Sequence, residues 1–312
     1  MITHTIGIDI SKDTLDVHVQ PGGEDRRFTN DAKGFRALRK WIGERCVERL
    51  VFEATGAYHR AFETAMGKAG LPLCKINPRQ AKRFGQALGL IAKTDRIDAG
   101  MLARFGALIE PPIRPAPPET LLKLRELHVA RTALIKDRTA TKNREKSLSS
   151  PLLKRQCRDR LGQIARHLEA IEADMLAIIE ADPDLARKFE ILTSIPGVAK
   201  RSAFALITGM PELGTLDSQS AAALSGTAPM TRQSGKRTGK AFVTGGRVNV
   251  RQALYMPALV AARHNPDLKA KYEDMTGRGK PPKVALTAIM RKLITLANAL
   301  IKADRKWEPR LA

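Results

Sequence analysis

The chain has 312 residues, enough for two or three compact domains that each bury a core. Its 54 Lys and Arg against 32 Asp and Glu leave a net charge of +22 and a pI near 10.3, which argues against a neutral metabolic enzyme and for a polyanionic partner, nucleic acid first. An apolar fraction of 43% excludes disorder. No apolar run near the ~20 residues of a membrane span stands out, and Cys46, Cys74 and Cys157 are too scattered for a disulfide framework or zinc site. The expectation is a cytoplasmic, nucleic-acid-facing protein with no membrane partner.

Residues 6–10 alternate and stop at Ser11-Lys12. Residues 14–19 alternate again, Gly22-Gly23 punctuates, and residues 27–30 read as a third short strand. Phe35, Leu38 and Ile42 at helical spacing predict a helix over 33–44. Residues 49–54 read as a buried strand, 58–69 as a helix and 71–76 as a strand, and Pro78 opens a further helix at a position where proline is tolerated. This βββαβα order resembles that of ribonuclease-H-like folds.

Five prolines within residues 111–118 (Pro111, Pro112, Pro115, Pro117, Pro118) exclude helix interior and central strand and predict a linker. Leu121, Leu124, Leu127, Leu134 and Ile135, then Leu161, Ile164, Leu168, Ile171 and Met175, predict two long amphipathic helices broken at Ser149-Ser150-Pro151, folded as a hairpin or paired with a second subunit. A compact, mostly helical domain is expected from Ile191 to about Asp304. Net charge is +6 over residues 1–118, +8 over 119–166, −5 over 167–230 and +13 over 231–312. Two basic blocks predict two polyanion contacts or one long one, against the alternative of two solvated helix faces.

Four carboxylates stand out. Asp9 lies inside an apolar alternating strand, where a charge is costly without a metal or partner. Glu53 repeats the anomaly at the end of Leu50-Val-Phe-Glu, and Asp95 and Asp98 share one helix face at i, i+3. Together they form a hard-oxygen set suited to two Mg²⁺ ions in phosphoryl transfer. Singly each has a plainer role: Asp95 as a helix N-cap beside Thr94, Asp98 as an exposed first-turn acid, Glu53 as a core carboxylate beside Arg60. Asp13 and Asp16 read as a turn residue and an exposed strand position.

Ser194-Ile-Pro-Gly-Val-Ala-Lys-Arg-Ser202 resembles a helix-hairpin-helix element, with backbone N–H groups near Gly197 placed to grip a DNA phosphate and Lys200 and Arg201 adding charge; a plain helical turn is the alternative. Ser234 lies amid Arg232, Lys236, Arg237 and Lys240, a composition that reads as a basic, flexible phosphate-contacting loop. No His or Asp stands near in sequence to serve as its base, so composition alone favours a bystander role.

Ile6-Gly-Ile-Asp-Ile-Ser-Lys12, Phe52-Glu-Ala-Thr-Gly-Ala-Tyr58, Lys93-Thr-Asp-Arg-Ile-Asp-Ala99 and Gln233-Ser-Gly235 resemble, in order and spacing, the motifs of the IS110 family of insertion-sequence transposases. The likeness covers nearly the whole chain. It implies an N-terminal RuvC-like DEDD domain over 1–110, the linker over 111–118, a helical, coiled-coil-like connector over 119–185, and a C-terminal transposase domain over 186–305. It implies that Asp9, Glu53, Asp95 and Asp98 bind Mg²⁺, with Mn²⁺ as an alternative. Ser234 would then be the nucleophile that forms a phosphoserine with DNA, and Ser225 a weaker candidate. It implies as partners the element-end and target DNA, a structured guide RNA from the element, and further copies of the chain in a dimer or tetramer. Within the same likeness the nearest alternative is a site-specific invertase; a hydrolytic RuvC-like junction nuclease and a non-enzymatic scaffold follow.

Overall fold

The computed structural model describes residues 2–54, 56, 58–89, 94–234 and 237–309. They fall into two compact units, Met1–Pro118 and Glu119–Ala312.

The first unit contains β1 (Thr3–Ile10), β2 (Thr14–Gln20), β3 (Glu24–Thr29), α1 (Ala32–Ile42), β4 (Cys46–Glu53), α2 (His59–Lys68), β5 (Leu73–Ile76), α3 (Pro78–Ala87) and α4 (Asp95–Ile109). Its sheet runs β3-β2-β1-β4-β5. The first three strands are antiparallel, and β4 and β5 join parallel to β1. Ser11 and Thr14 close the β1–β2 turn, with the Thr14 N–H donating to Ser11 Oγ at 2.9 Å. Gly22 and Gly23, both at positive φ, turn the chain so tightly that β3 begins at Glu24, three residues before the expected Arg27.

Alternation along the strands gives the sheet two apolar faces. Ile6, Ile8, Ile10, Leu15, Val17 and Val19 meet Phe35, Leu38, Phe62 and Met66 of α1 and α2. Val51, Cys74 and Ile76 on the opposite face meet Ala81 of α3 and Met101, Leu102 and Phe105 of α4. Gly7 permits α4 to lie directly on β1, because a Cβ there would overlap the Ala99 carbonyl oxygen and the Ala103 nitrogen. A Cβ on Gly106 would stand 2.5 Å from Thr5 and Val51 side chains. Since Gly106 is over Thr5 and Ala99 over Gly7, α4 runs antiparallel to β1 and brings its first turn to the Asp9 end. The N-cap of α4 is Thr94, whose Oγ1 accepts from the Ile97 N–H at 3.3 Å. Asp95 therefore does not serve as the cap. The proline-rich residues 111–118 have no regular structure, yet the Arg114 N–H donates to the Leu73 carbonyl at 2.9 Å and Ala116 packs against the α1/α2-side core.

The second unit contains α5 (Glu119–Ser147), α6 (Pro151–Glu180), α7 (Pro183–Ser194), α8 (Lys200–Gly209), α9 (Ser218–Leu224), β6 (Pro229–Ser234), β7 (Arg237–Val243), α10 (Val248–His264), α11 (Pro266–Gly277) and α12 (Pro282–Lys302). Helices α5 and α6 form an antiparallel hairpin with Arg131, nearly buried, paired to Glu172 at 2.8 Å and Arg158 facing Glu145 farther out. Leu124, Met175 and Ile179 anchor its base in a core shared with Ile191, Phe204, Leu254 and Leu293.

Two readings of this unit change. The segment around Ser234 is a two-stranded antiparallel hairpin, not a loop, with Met230 paired to Phe242 and Gln233 to Thr238. Its β-forming Met, Thr, Phe and Val positions were masked by the density of basic residues between them. And α12, with a mean hydropathy of 1.6 over its most apolar 18 residues, is long and apolar enough to cross a membrane by composition alone. Its Ile289, Leu293, Ile294 and Ala297 are instead packed in the core, while Arg291 and Lys292 at mid-helix are exposed.

Candidate active site

Strand register assembles the acids. Ile8 pairs with Phe52 across the parallel β1–β4 ladder, so the next residues, Asp9 and Glu53, stand side by side. Asp9 pairs directly with Asp16 across the antiparallel β1–β2 ladder. The antiparallel course of α4 over β1 then delivers Asp95 and Asp98 to the same end. Asp9 registers all of them: its carboxyl is pushed up to about 6, first by burial and then by the charges of Asp98, Asp95, Glu53 and Asp16. Sequence reasoning brought four of these five together and missed one. Asp16, expected on an exposed strand position, is buried, because the three-residue β1–β2 turn fixes it opposite Asp9 on the sheet face that α4 covers. The turn length was the signal that could have placed it.

A second layer of charge surrounds the acids. Arg27 on β3 pairs with Asp16 in the ladder, and its Nε donates to Asp16 Oδ1 at 2.9 Å while a terminal nitrogen lies 3.5 Å from Asp95. Arg96 Nε donates to Asp25 at 2.7 Å, and His18 Nδ1 lies 2.8 Å from the other Asp25 oxygen. Burial pushes Asp25 upward, but the hydrogen bonds from His18 and Arg96 outweigh it and hold its carboxyl below the usual range. These pairs tie the first turn of α4 to the β2–β3 ribbon.

An all-oxygen set of acids, one of them raised to about pKa 6 by burial and by its neighbours, has the chemistry of a site for a hard divalent cation. Among the described residues no three His, Cys, Asp or Glu side chains converge closely enough to hold a metal as they stand. Asp95, with more than half of its side chain exposed and leaning toward Arg27, would have to swing inward to join such a set.

In the second unit Ser234 ends β6, exposed, in register with Arg237, and among the described residues its hydroxyl has no hydrogen-bond partner. Lys236 lies outside the described residues, as do the side chains of Arg232, Arg237 and Lys240. Ser225 is fully buried, its Oγ within 3.0 Å of the Ala222 carbonyl and 2.9 Å of Thr227 Oγ1, which removes it as a nucleophile. Gly197, at φ +101°, packs so closely on α10 that a Cβ would stand 2.6 Å from the Pro257 carbonyl oxygen. That contact accounts for the glycine without a phosphate. Arg201 donates to Glu172 at 3.1 Å, and Lys200 is exposed at the start of α8.

Family models bear on both units. One described as a transposase, the DEDD domain of IS110 elements, matches residues 6–149, and one described as the transposase IS116/IS110/IS902 family matches residues 189–273. The chain is 30% identical over 322 residues to the pilin gene-inverting protein of Moraxella bovis, covering 98% of each chain, and equally so to that of Moraxella lacunata. It is 30% identical over 145 residues to the IS110 insertion-element 43.6 kDa protein of Streptomyces coelicolor, covering 46% of this chain and 35% of that one. These matches define a DNA-cutting and rejoining enzyme that acts as a DNA-binding recombinase. The chain belongs to the IS110 family of transposases.

Proposed function

We propose that the chain moves a DNA element by serine attack on a DNA phosphate, with Asp9, Glu53, Asp95 and Asp98 holding divalent cations, Mg²⁺ or Mn²⁺, in a RuvC-like, ribonuclease-H-like first unit. The observation that supports this most is Asp9, half-buried on a strand, its pKa raised to about 6 by that burial first and then by the charges of four neighbouring acids. The strand order β3-β2-β1-β4-β5 accords with that fold. A bound divalent cation supplies Lewis acidity for charge that builds on the phosphate. The carboxylates hold position for it. The Ser234 oxygen attacks phosphorus, the bond from phosphorus to one sugar oxygen breaks, and that oxygen leaves as a hydroxyl carrying the proton the serine gives up. Rejoining reverses the exchange, with a strand hydroxyl attacking the phosphoserine.

Ser234 and the acids belong to different units, and the chain acts as a dimer or tetramer. Basic Lys200, Arg232, Lys236, Arg237 and Lys240 hold backbone phosphates. The two basic blocks leave room for a structured guide RNA as well as element-end and target DNA.

The test is cleavage of DNA spanning the element ends, with flanking RNA and Mg²⁺, by wild type, Ser234→Ala and Asp9→Asn, read on denaturing gels with and without protease. A protein–DNA adduct lost in both variants supports the reading. Free nicked DNA formed by Ser234→Ala but not by Asp9→Asn means that water attacks, and the serine reading falls. A second reading, inversion of a fixed segment, is favoured by the full-length likeness to the two pilin gene-inverting proteins. Plasmids carrying the two sites in inverted or in direct orientation separate them: inversion alone yields flipped product with no excised circle.

A further inference from the structure

Three strands in register set a row of charge across the sheet: Arg27 on β3 faces Asp16 on β2, which faces Asp9 on β1. We propose that Arg27 is an internal counter-cation of this carboxylate centre, bridging Asp16 and Asp95 and competing with a divalent cation for Asp95, so that it sets how tightly the centre loads. The proposal rests on the reading above that these acids hold a divalent cation.

The two contacts of Arg27 are unequal. Its Nε hydrogen bond to Asp16 is 2.9 Å long and ends on a carboxylate that is only 11% exposed. Its approach to Asp95 is 3.5 Å, between side chains 59% and 56% exposed. The first contact is an anchor and the second is releasable, since solvent can replace the guanidinium on Asp95 at small cost. A guanidinium keeps its charge at any pH the protein survives, so it leaves Asp95 only by moving. In the metal-free centre it offsets mutual repulsion among the acids. When a dication enters, the same charge becomes repulsive, and Asp95 must be taken from it.

The backbone around Asp95 has an independent tether. Arg96 reaches Asp25 at 2.7 Å, and Asp25 is also held by His18, so the first turn of α4 stays on the β2–β3 ribbon when Arg27 is altered. Loss of Arg27 therefore frees the Asp95 side chain without dismantling the helix that carries it.

The experiment is calorimetric titration of the full chain with Ca²⁺ and with Mn²⁺, in the absence of DNA, for wild type, Arg27→Gln, Arg27→Lys and Asp9→Asn, with melting temperatures taken metal-free and loaded. Arg27→Gln is expected to bind about tenfold more tightly, equivalent to about 1.4 kcal/mol, and to melt lower than wild type when metal-free. Arg27→Lys keeps the charge and should stay within roughly threefold of wild type despite losing the planar fork. Asp9→Asn should bind weakly or not at all. If both Arg27 variants melt lower but bind as wild type does, Arg27 is only a structural tie and the proposal is overturned while the metal reading stands. If wild type takes up neither ion, the metal reading itself fails and the proposal goes with it.

Discussion

In the first unit an acid is forced into place: Asp9 is half-buried on a central strand among four other carboxylates, and its pKa is raised to about 6 by burial first and by their charges second. In the second unit Ser234 ends an exposed strand of a two-stranded hairpin, and among the described residues nothing hydrogen-bonds its hydroxyl. One group is organised by packing before any substrate arrives. The other, among the described residues, is held by no side chain that would orient it. On the proposed reading, charge set by packing in one unit and an exposed serine in the other divide the labour of an enzyme that must let DNA in, hold it and let it go.

The comparison breaks first at the level of activity. Ser234→Ala and Asp9→Asn should each lower DNA cleavage by at least about a thousandfold, or about 4 kcal/mol of barrier. Only Asp9→Asn should also change folding stability; a shift of more than about 0.5 kcal/mol in denaturant unfolding of Ser234→Ala would mean the hairpin is more tightly packed than its exposure indicates. Next in size is Gly7→Ala. The added methyl must push α4 off β1, so a loss of about 3 kcal/mol is expected in urea unfolding. An unchanged or slightly raised midpoint would show that α4 does not lie on the strand, and the assembly of the acids would fall with it.

A third effect is smaller and depends on pH. A carboxyl whose folded pKa is raised keeps its proton longer in the folded than in the unfolded state, so its ionisation costs stability as pH climbs from about 4 to about 6. Metal-free Asp9→Asn should match wild type below pH 4 and exceed it by on the order of 1–2 kcal/mol at pH 8, after allowance for solvent screening. Wild type that gains on the variant over that interval would mean Asp9 is not crowded by its neighbours. Smallest of all, Gln233→Ala on the exposed hairpin should change stability by less than about 0.5 kcal/mol by the same unfolding measurement.

Much of the first unit was legible because its strands obey a period of two, Phe35, Leu38 and Ile42 keep helical spacing along α1, and Pro78 marks the start of α3. Asp9 was legible for a related reason: an acid among isoleucines costs too much to be incidental. Asp16 was misread because alternation says which residues share a face within one strand, and only register says what lies across from them. Arg27 escaped notice for the same reason, as its role exists only once β3 pairs with β2. In the second unit the hairpin was hidden by charge, and α12 by the Arg291-Lys292 pair that interrupts its apolar run while facing outward. Gly197 shows a second demand that the sequence did not disclose, since the glycine also admits a neighbouring helix.

The α5–α6 hairpin has a consequence for scale. Thirty residues of helix are about 45 Å long, and at about 3.4 Å per base pair that is the length of roughly thirteen base pairs of duplex. The anchored end lies in the core of its unit, while the distal residues 136–160 carry nine Lys and Arg against three Asp and Glu. The hairpin is thus a ruler with charge on its far graduation. Were duplex to lie along it, as the proposed function allows, about thirteen base pairs would be needed to run its whole length, and binding should weaken on shorter fragments.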